Sequence, residues 1–139
     1  MSVLILDNKR ILLNGIRRYE LNSDKFYYRN DNEEERFLFI WLTNPNELWS
    51  KYSFKYLFIK MVDDKEYKFV SDIKLTNLME QMEYYFEVND IDLDADLPEE
   101  DAYLEEAIES YKKIKDSYIF IKDDISYITN KMDYAFGTI

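Results

Sequence analysis

Histidine and cysteine are both absent from this sequence of 139 residues. Histidine is the usual general base near neutral pH, and cysteine is the usual thiol nucleophile. Serine–histidine–aspartate catalysis, cysteine–histidine catalysis, zinc sites of cysteine and histidine, and disulfide bonds are therefore excluded. Only two glycines occur, Gly15 and Gly137. Phosphate-binding loops and dinucleotide-binding fingerprints need several glycines, so both are excluded as well.

Long apolar runs are also missing. The longest, residues 37–42, has the length of a strand and not the roughly 18 residues of a membrane span. The first residues do not have the basic and apolar segments of a signal peptide. The abundance of Lys, Asn, Ile, Tyr, Asp and Glu is typical of an AT-rich genome. We therefore expect a cytoplasmic protein, either of a low-GC bacterium or of an infected host cell, without contact to a membrane.

Strand signals dominate the first half of the chain. Asn14 and Gly15 lie between two apolar runs, which favours a type I′ hairpin turn pairing Leu13 with Ile16. Residues 37–42 are apolar on both faces, so we predict a central strand covered on each side. Further strands are predicted at residues 3–6, 26–29, 54–62 and 65–70.

Helical spacing replaces strand spacing after residue 70. Residues 73–88 have one apolar face and follow two capping residues, Ser71 and Asp72, which predicts a helix. From Leu104 to Ala135 apolar residues recur every three or four positions, as in a heptad repeat. Residues 98–135 are therefore predicted as one long helix or as two helices, and a strand at residues 118–121 is the alternative.

Composition and spacing together predict one α+β domain over residues 1–139. Apolar residues make up 47% of the chain and aromatic residues 17%, which is enough for a core. Residues 1–70 form mainly an antiparallel sheet of hairpins, and residues 71–139 form two or three helices, the last long and heptad-like. This apolar stripe is longer than the helix that would cover a small sheet. A homodimer that buries part of the stripe is therefore left open.

Charge is distributed unevenly along the chain. Residues 1–75 hold 13 basic and 12 acidic residues, whereas residues 76–139 hold 5 and 17. Thirteen acidic residues and no basic residue lie between Lys74 and Lys112. A solvated surface is the plain explanation, but the segment lacks the i,i+4 pairs of opposite sign that offset repulsion in ordinary helices. We interpret it as a surface that binds positive charge on another macromolecule.

The predicted partner-binding residues lie in this acidic segment. In an extended chain its alternating aspartates would share one face at a spacing of about 6.6 Å, comparable to that of nucleic-acid phosphates. Carboxylates on the flanking helices would widen the row. The predicted binding residues are Glu83, Glu87, Asp90, Asp92, Asp94, Asp96, Glu99, Glu100, Asp101 and Glu105.

A calcium site is an alternative for the same segment. Its alternating aspartates are similar in spacing to an EF-hand loop, but Ala95 stands where that loop needs glycine and Asp101 where it needs glutamate. We therefore predict no metal and no cofactor.

These observations favour a non-enzymatic acidic inhibitor that masks a basic, nucleic-acid-binding surface of a partner protein, such as a nuclease. Phage anti-defence proteins, including anti-CRISPR proteins, and immunity proteins or antitoxins are the analogous settings. Direct binding of nucleic acid is opposed by the net charge of −11. Two alternatives are a self-assembling structural or adaptor protein that uses the C-terminal helical stripe, and a carboxylate-based metal-dependent hydrolase.

Overall fold

Most strands precede the helices along the chain, as the sequence predicts. The computed structural model describes residues 3–31, 36–41, 47–94 and 102–137. In these residues the strands are β1 (Val3–Leu6), β2 (Lys9–Leu12), β3 (Ile16–Asp31), β4 (Arg36–Ile40), β5 (Ser50–Met61), β6 (Glu66–Val70) and β7 (Ile119–Phe120). The helices are α1 (Ile73–Val88), α2 (Ala102–Ser117) and α3 (Ile125–Ala135). The predicted α+β class is confirmed.

The strands form two sheets. β1 and β2 pair antiparallel with each other, and the other strands form a five-stranded sheet in the order β4-β3-β5-β6-β7. In the larger sheet β3 pairs antiparallel with β4, β5 pairs antiparallel with β6, and β7 lies parallel to β6. Of the helices in the described ranges, none has the length and apolarity needed to cross a membrane.

The chain divides into two compact units. Unit 1 comprises Met1–Asp24, Lys55–Asp72 and Ser117–Ile139, and unit 2 comprises Lys25–Phe54 and Ile73–Asp116. β3 and β5 therefore contribute residues to both units. The single domain over residues 1–139 stays a prediction beside this division.

Unit 1 has a core of aliphatic side chains from strands and one helix. α3 places three buried residues in it at the spacing of one helical face, Ile125, Ile128 and Met132. Its other buried members are Leu4, Leu6, Ile11, Ile16, Leu57, Ile59, Phe69 and Ile121. The C-terminal part of the predicted stripe is thus covered within its own unit.

Unit 2 has a more aromatic core. The ring of Phe26 lies 4.8 Å from that of Phe39, measured between centroids. The rings of Phe86 on α1 and Tyr111 on α2 meet edge to face at 5.4 Å, so the two helices pack against each other. Buried aliphatic residues on the same helix faces are Leu75, Leu78, Met79 and Met82 on α1 and Ala107, Ile108 and Ile114 on α2.

The last helix is shorter than the predicted long helix. The heptad-like spacing is divided between α2 and α3, because β7 interrupts it and pairs with β6. The backbone N–H of Ile121 donates to the Val70 carbonyl at 2.8 Å, and the Asp124 side chain accepts from the N–H groups of Ser126 and Tyr127 to cap α3. Sheet pairing and this cap decide against a continuous helix, and the alternative with a strand describes this region.

The predicted type I′ turn is wrong. Residues Leu13–Gly15 form a 3-10 turn, and neither Asn14 nor Gly15 has the positive φ that a type I′ turn needs. The Gly15 carbonyl accepts from the N–H of Val62 at 2.8 Å, and a Cβ on Gly15 would lie 3.1 Å from the Met61 Cε. Packing against the β5–β6 turn therefore explains the glycine better than hairpin geometry does.

The predicted central position of residues 37–42 is also wrong. β4 covers Arg36–Ile40 and lies at one edge of the described five-stranded sheet. Leu38, Phe39 and Ile40 are nevertheless all buried. Burial on both faces of an edge strand therefore accounts for the apolar run, which by itself does not specify the order of strands.

The cap of α3 gives a first prediction. We expect Asp124→Ala to lower the free energy of unfolding by about 1 kcal/mol, because the N–H groups of Ser126 and Tyr127 lose their acceptor. Asp123→Ala removes the same charge from the neighbouring exposed position and is the matched control, with an expected change within about 0.5 kcal/mol. Denaturant unfolding of both variants measures the difference, and equal losses would contradict the cap.

Candidate functional site

The net charge belongs to one unit. Unit 1 contains 10 basic and 10 acidic residues, whereas unit 2 contains 8 basic and 19 acidic residues. The whole excess of −11 is therefore in unit 2, which also contains every predicted partner-binding residue. The candidate electrostatic site therefore belongs to this unit.

The C-terminal end of α1 positions the first of these carboxylates. The N–H of Ile91 donates to the Phe86 carbonyl at 2.9 Å, and the N–H of Asp90 donates to the Glu87 carbonyl at 3.2 Å. These two bonds form a Schellman motif, with Asp90 at its left-handed position (φ 50°). Glycine is the usual residue there, and aspartate is one of the few others that tolerate it.

Four of the predicted residues line one groove. Glu83 and Glu87 lie one turn apart on α1, and Asp90 and Asp92 follow in the loop. The groove has a volume of about 610 Å³ and is lined by Glu83, Phe86, Glu87, Asp90, Ile91, Asp92, Leu93, Tyr111 and Lys115. We call it the acidic groove. Carboxylates and apolar side chains thus share one concave surface.

The other predicted residues are not brought together there. Asp94 lies just beyond the groove lining, and its carboxylate pairs with Lys112 at 3.3 Å. Glu105 is exposed in the first turn of α2, where the helix dipole stabilises a carboxylate. Asp96, Glu99, Glu100 and Asp101 lie outside the described residues.

A hydrogen-bonded network forms one wall of the acidic groove. The Tyr111 hydroxyl donates to Glu83 Oε1 at 2.6 Å, and Lys115 Nζ lies 3.2 Å from the same oxygen and 3.3 Å from the hydroxyl. The bond from Tyr111 lowers the pKa of Glu83, burial opposes this in part, and Lys115 lowers it further. Burial and the bond to Glu83 raise the pKa of Tyr111. Glu83 is thereby kept ionised and Tyr111 protonated.

A second lysine holds the loop. Lys112 Nζ donates to the Leu93 carbonyl at 2.5 Å and to Asp94 Oδ1 at 3.3 Å. Glu83 and Asp94 are therefore compensated by lysines of α2, although no basic residue lies among the acidic ones in sequence. The view that all thirteen carboxylates lack a counter-charge is corrected for these two.

Sequence reasoning missed Tyr111, Lys112 and Lys115 as members of the site. In the sequence Lys112 marks only the end of the acidic segment, Lys115 lies beyond that end, and Tyr111 belongs to the apolar stripe. Lysines three positions apart on a helix lie on neighbouring parts of one face. That spacing was the available signal, but it does not identify carboxylates 18 and 32 residues away as the partners.

The loop itself uses an aspartate for local structure. The N–H of Asp94 donates to Asp92 Oδ1 at 3.0 Å, which is the pattern of an Asx turn. Within the described ranges, no group of three or more Asp or Glu residues is arranged to hold a metal ion. The described part of the EF-hand-like segment, Asp90, Asp92 and Asp94, therefore forms a turn and a groove edge.

No family model, no curated protein and no solved structure matches the chain. The interpretation of function therefore depends on the geometry and charge of the acidic groove. Both belong to unit 2 alone.

The network around Glu83 gives a pH-dependent prediction. The pKa of Glu83 in the folded state is lowered. The contribution of Glu83 to stability is therefore complete above its pKa in the unfolded state, about 4.3, and is lost as the pH falls through its pKa in the folded state. We expect Tyr111→Phe to raise the Glu83 pKa and to reduce this contribution. Carboxyl NMR titration and unfolding at several acidic pH values measure both effects. Tyr84→Phe, at an exposed position of α1, is the control, and an unchanged Glu83 pKa in Tyr111→Phe would contradict the network.

The left-handed aspartate gives a third prediction. We expect Asp90→Gly to stabilise the protein by about 1 kcal/mol, because it relieves the positive φ and removes a negative charge from the C-terminal end of α1. Asp90→Asn tolerates the same φ and should gain only the electrostatic part, about 0.5 kcal/mol. Thermal or denaturant unfolding ranks the three proteins. A loss of stability in Asp90→Gly would contradict the Schellman geometry.

Proposed function

We propose that this protein is a non-enzymatic inhibitor that uses the acidic groove and the carboxylates around it to mask a basic, nucleic-acid-binding surface of a partner protein. Such a role is typical of phage anti-defence proteins, including anti-CRISPR proteins, and of immunity or antitoxin proteins. The observation behind the proposal is the concentration of the entire net charge in unit 2, with four predicted carboxylates around one groove.

Long-range attraction is the first argument. A net charge of −11 within one unit creates a field that accelerates association with a positively charged surface. The same field repels nucleic acid. Proteins that bind nucleic acid have basic surfaces, so they are the class of partner that this charge selects.

The lining of the groove is the second argument. Lysine and arginine have apolar stems and charged ends, and the groove has Phe86, Ile91 and Leu93 beside its carboxylates. Lys115 already illustrates the fit, since its ammonium lies between Glu83 and the Tyr111 hydroxyl. Glu87, Asp90 and Asp92 provide further carboxylates for basic side chains of a partner.

The local cost of the acidic residues is the third argument. Glu87 and Asp90 lie at the C-terminal end of α1, where a helix dipole disfavours negative charge. Asp90 also occupies a backbone position that suits glycine better. Residue choices that oppose local stability are expected where binding, and not folding, determines them.

A carboxylate-based, metal-dependent hydrolase is the second candidate. The concavity of the acidic groove is the feature that this function requires. Among the described residues, however, three carboxylates are not grouped for one ion. Hydrolysis of a phosphodiester or glycoside panel that depends on added Mg²⁺ and is lost in Glu87→Gln would favour this candidate over the inhibitor.

The proposed masking function predicts charge-dependent capture. We expect the immobilised protein to retain a basic protein from lysate of a low-GC bacterium at low salt and to release it at high salt, because screening weakens attraction between charged surfaces. The triple variant Glu87→Gln, Asp90→Asn, Asp92→Asn should reduce the association rate with the purified partner about tenfold or more. The partner's own nucleic-acid binding or cleavage should be blocked by the wild-type protein.

A matched control removes three exposed carboxylates from unit 1 instead, through Asp63→Asn, Asp64→Asn and Glu66→Gln. This variant has the same net charge as the groove variant and should retain most of the association rate. Since Asp90→Asn is expected to stabilise the fold, weaker capture by the groove variant cannot be attributed to unfolding. Capture that does not depend on the salt concentration, or equal association rates for both triple variants, would contradict the proposal.

A further inference from the structure

Unit 1 has an edge strand made only of apolar residues. β1 (Val3–Leu6) pairs with β2 along one edge, and no strand in the described part of the chain pairs along the other. Leu4 and Leu6 point into the core, whereas Val3 and Ile5 are exposed, Ile5 to 57%. Leu12 lies directly opposite Val3 in the register and is exposed to 56%. The outer face of this hairpin therefore exposes three apolar side chains together with Arg10, which lies opposite Ile5 in the register.

A groove adjoins the same strand. It has a volume of about 490 Å³ and lies between β1 and α3, with Val3, Ile5 and Leu13 on one side and Tyr127 and Tyr134 on the other. Tyr134 is 83% exposed. Among the described residues that line it, Lys131 alone is charged. Tyrosine is enriched in binding hot spots, and the exposed aliphatic residues beside the two tyrosines add apolar contact area.

Apart from its short length of four residues, β1 lacks the features that normally prevent edge strands from pairing. Lysine, proline, a bulge or an inward-pointing charge usually protects such an edge, and the sequence of β1 is Val-Leu-Ile-Leu. Antiparallel pairing of two identical strands satisfies two-fold symmetry, because each strand then offers the other the same donors and acceptors.

The balanced charge of unit 1 favours a second copy at this surface. Its equal numbers of acidic and basic residues let two such units meet without bringing net charge together, whereas contact between two copies of unit 2 would oppose −11 to −11. We propose that the β1 edge and its adjoining groove form a homodimer interface, in which the β1 strands of two copies pair antiparallel. Most residues of the helical stripe are buried within the chain, and only its C-terminal end, with Met132 and Ala135, reaches this groove.

Sedimentation equilibrium of the full-length chain over a wide concentration range tests the interface. We expect a reversible dimer that becomes stronger with added salt, because salt screens the repulsion between two chains of charge −11 and leaves apolar contact intact. Capture of a basic partner by unit 2 should have the opposite salt dependence, so the two proposals can fail independently.

Variants locate the contact. Ile5→Lys should raise the dimer dissociation constant at least about tenfold, and Tyr134→Ala should raise it by a similar factor. Leu21→Lys alters an exposed aliphatic residue of β3 outside the groove, and Tyr84→Ala alters an exposed tyrosine of α1. Both controls should dimerise like the wild type, and thermal unfolding should show each variant folded.

Hydrogen exchange tests the strand pairing directly. Backbone amides of β1 that point away from β2 should exchange more slowly as the protein concentration rises, and this slowing should be absent in Ile5→Lys. A monomer at every concentration, or a dimer that Ile5→Lys and Tyr134→Ala leave unchanged, would overturn the proposal. So would a dimer whose β1 amides exchange at a concentration-independent rate.

Discussion

Repulsion among the carboxylates of unit 2 is the constraint that the contacts between α1, its following loop and α2 have to overcome. Nineteen acidic residues belong to a unit with only eight basic ones. Lys115 and Tyr111 bind Glu83, and Lys112 binds the Leu93 carbonyl and Asp94. Each lysine thus connects α2 to a different part of the acidic segment. Together with the packing of Phe86 on Tyr111, these bonds keep an acidic surface on a folded scaffold.

The two units differ in the physical basis of their surfaces. In unit 2 charge dominates, and its effects extend over a Debye length of roughly 8–10 Å at moderate ionic strength. In unit 1 charge is balanced, and exposed apolar residues of β1, β2 and α3 are the conspicuous feature. Excess charge and exposed apolar surface therefore belong to different residues, so that substitutions can change either one without the other.

Local sequence patterns sufficed for the elements whose geometry is set locally. The β5–β6 hairpin and α1 with its apolar face follow from spacing and turn residues. The Asn14–Gly15 turn, the edge position of β4 and the break after Ser117 depend on distant residues, as the bonds of Val62 to Gly15 and of Ile121 to Val70 illustrate. At the acidic groove, the four carboxylates could be predicted because they lie in one continuous acidic segment. Tyr111, Lys112 and Lys115 could not, because only the packing of α2 on α1 brings them to the groove and its loop.

Unit 1 is assembled from three separate stretches of chain, and the last of them, residues 117–139, supplies α3 and part of the core. During synthesis from the N-terminus, the β1–β2 hairpin therefore emerges long before the helix that covers its inner face. Until that helix is synthesised, the side chains of Leu4, Leu6 and Ile11 lack the cover that Met132 and its neighbours provide. The cover of the apolar hairpin is therefore complete only when translation reaches the last stretch of unit 1.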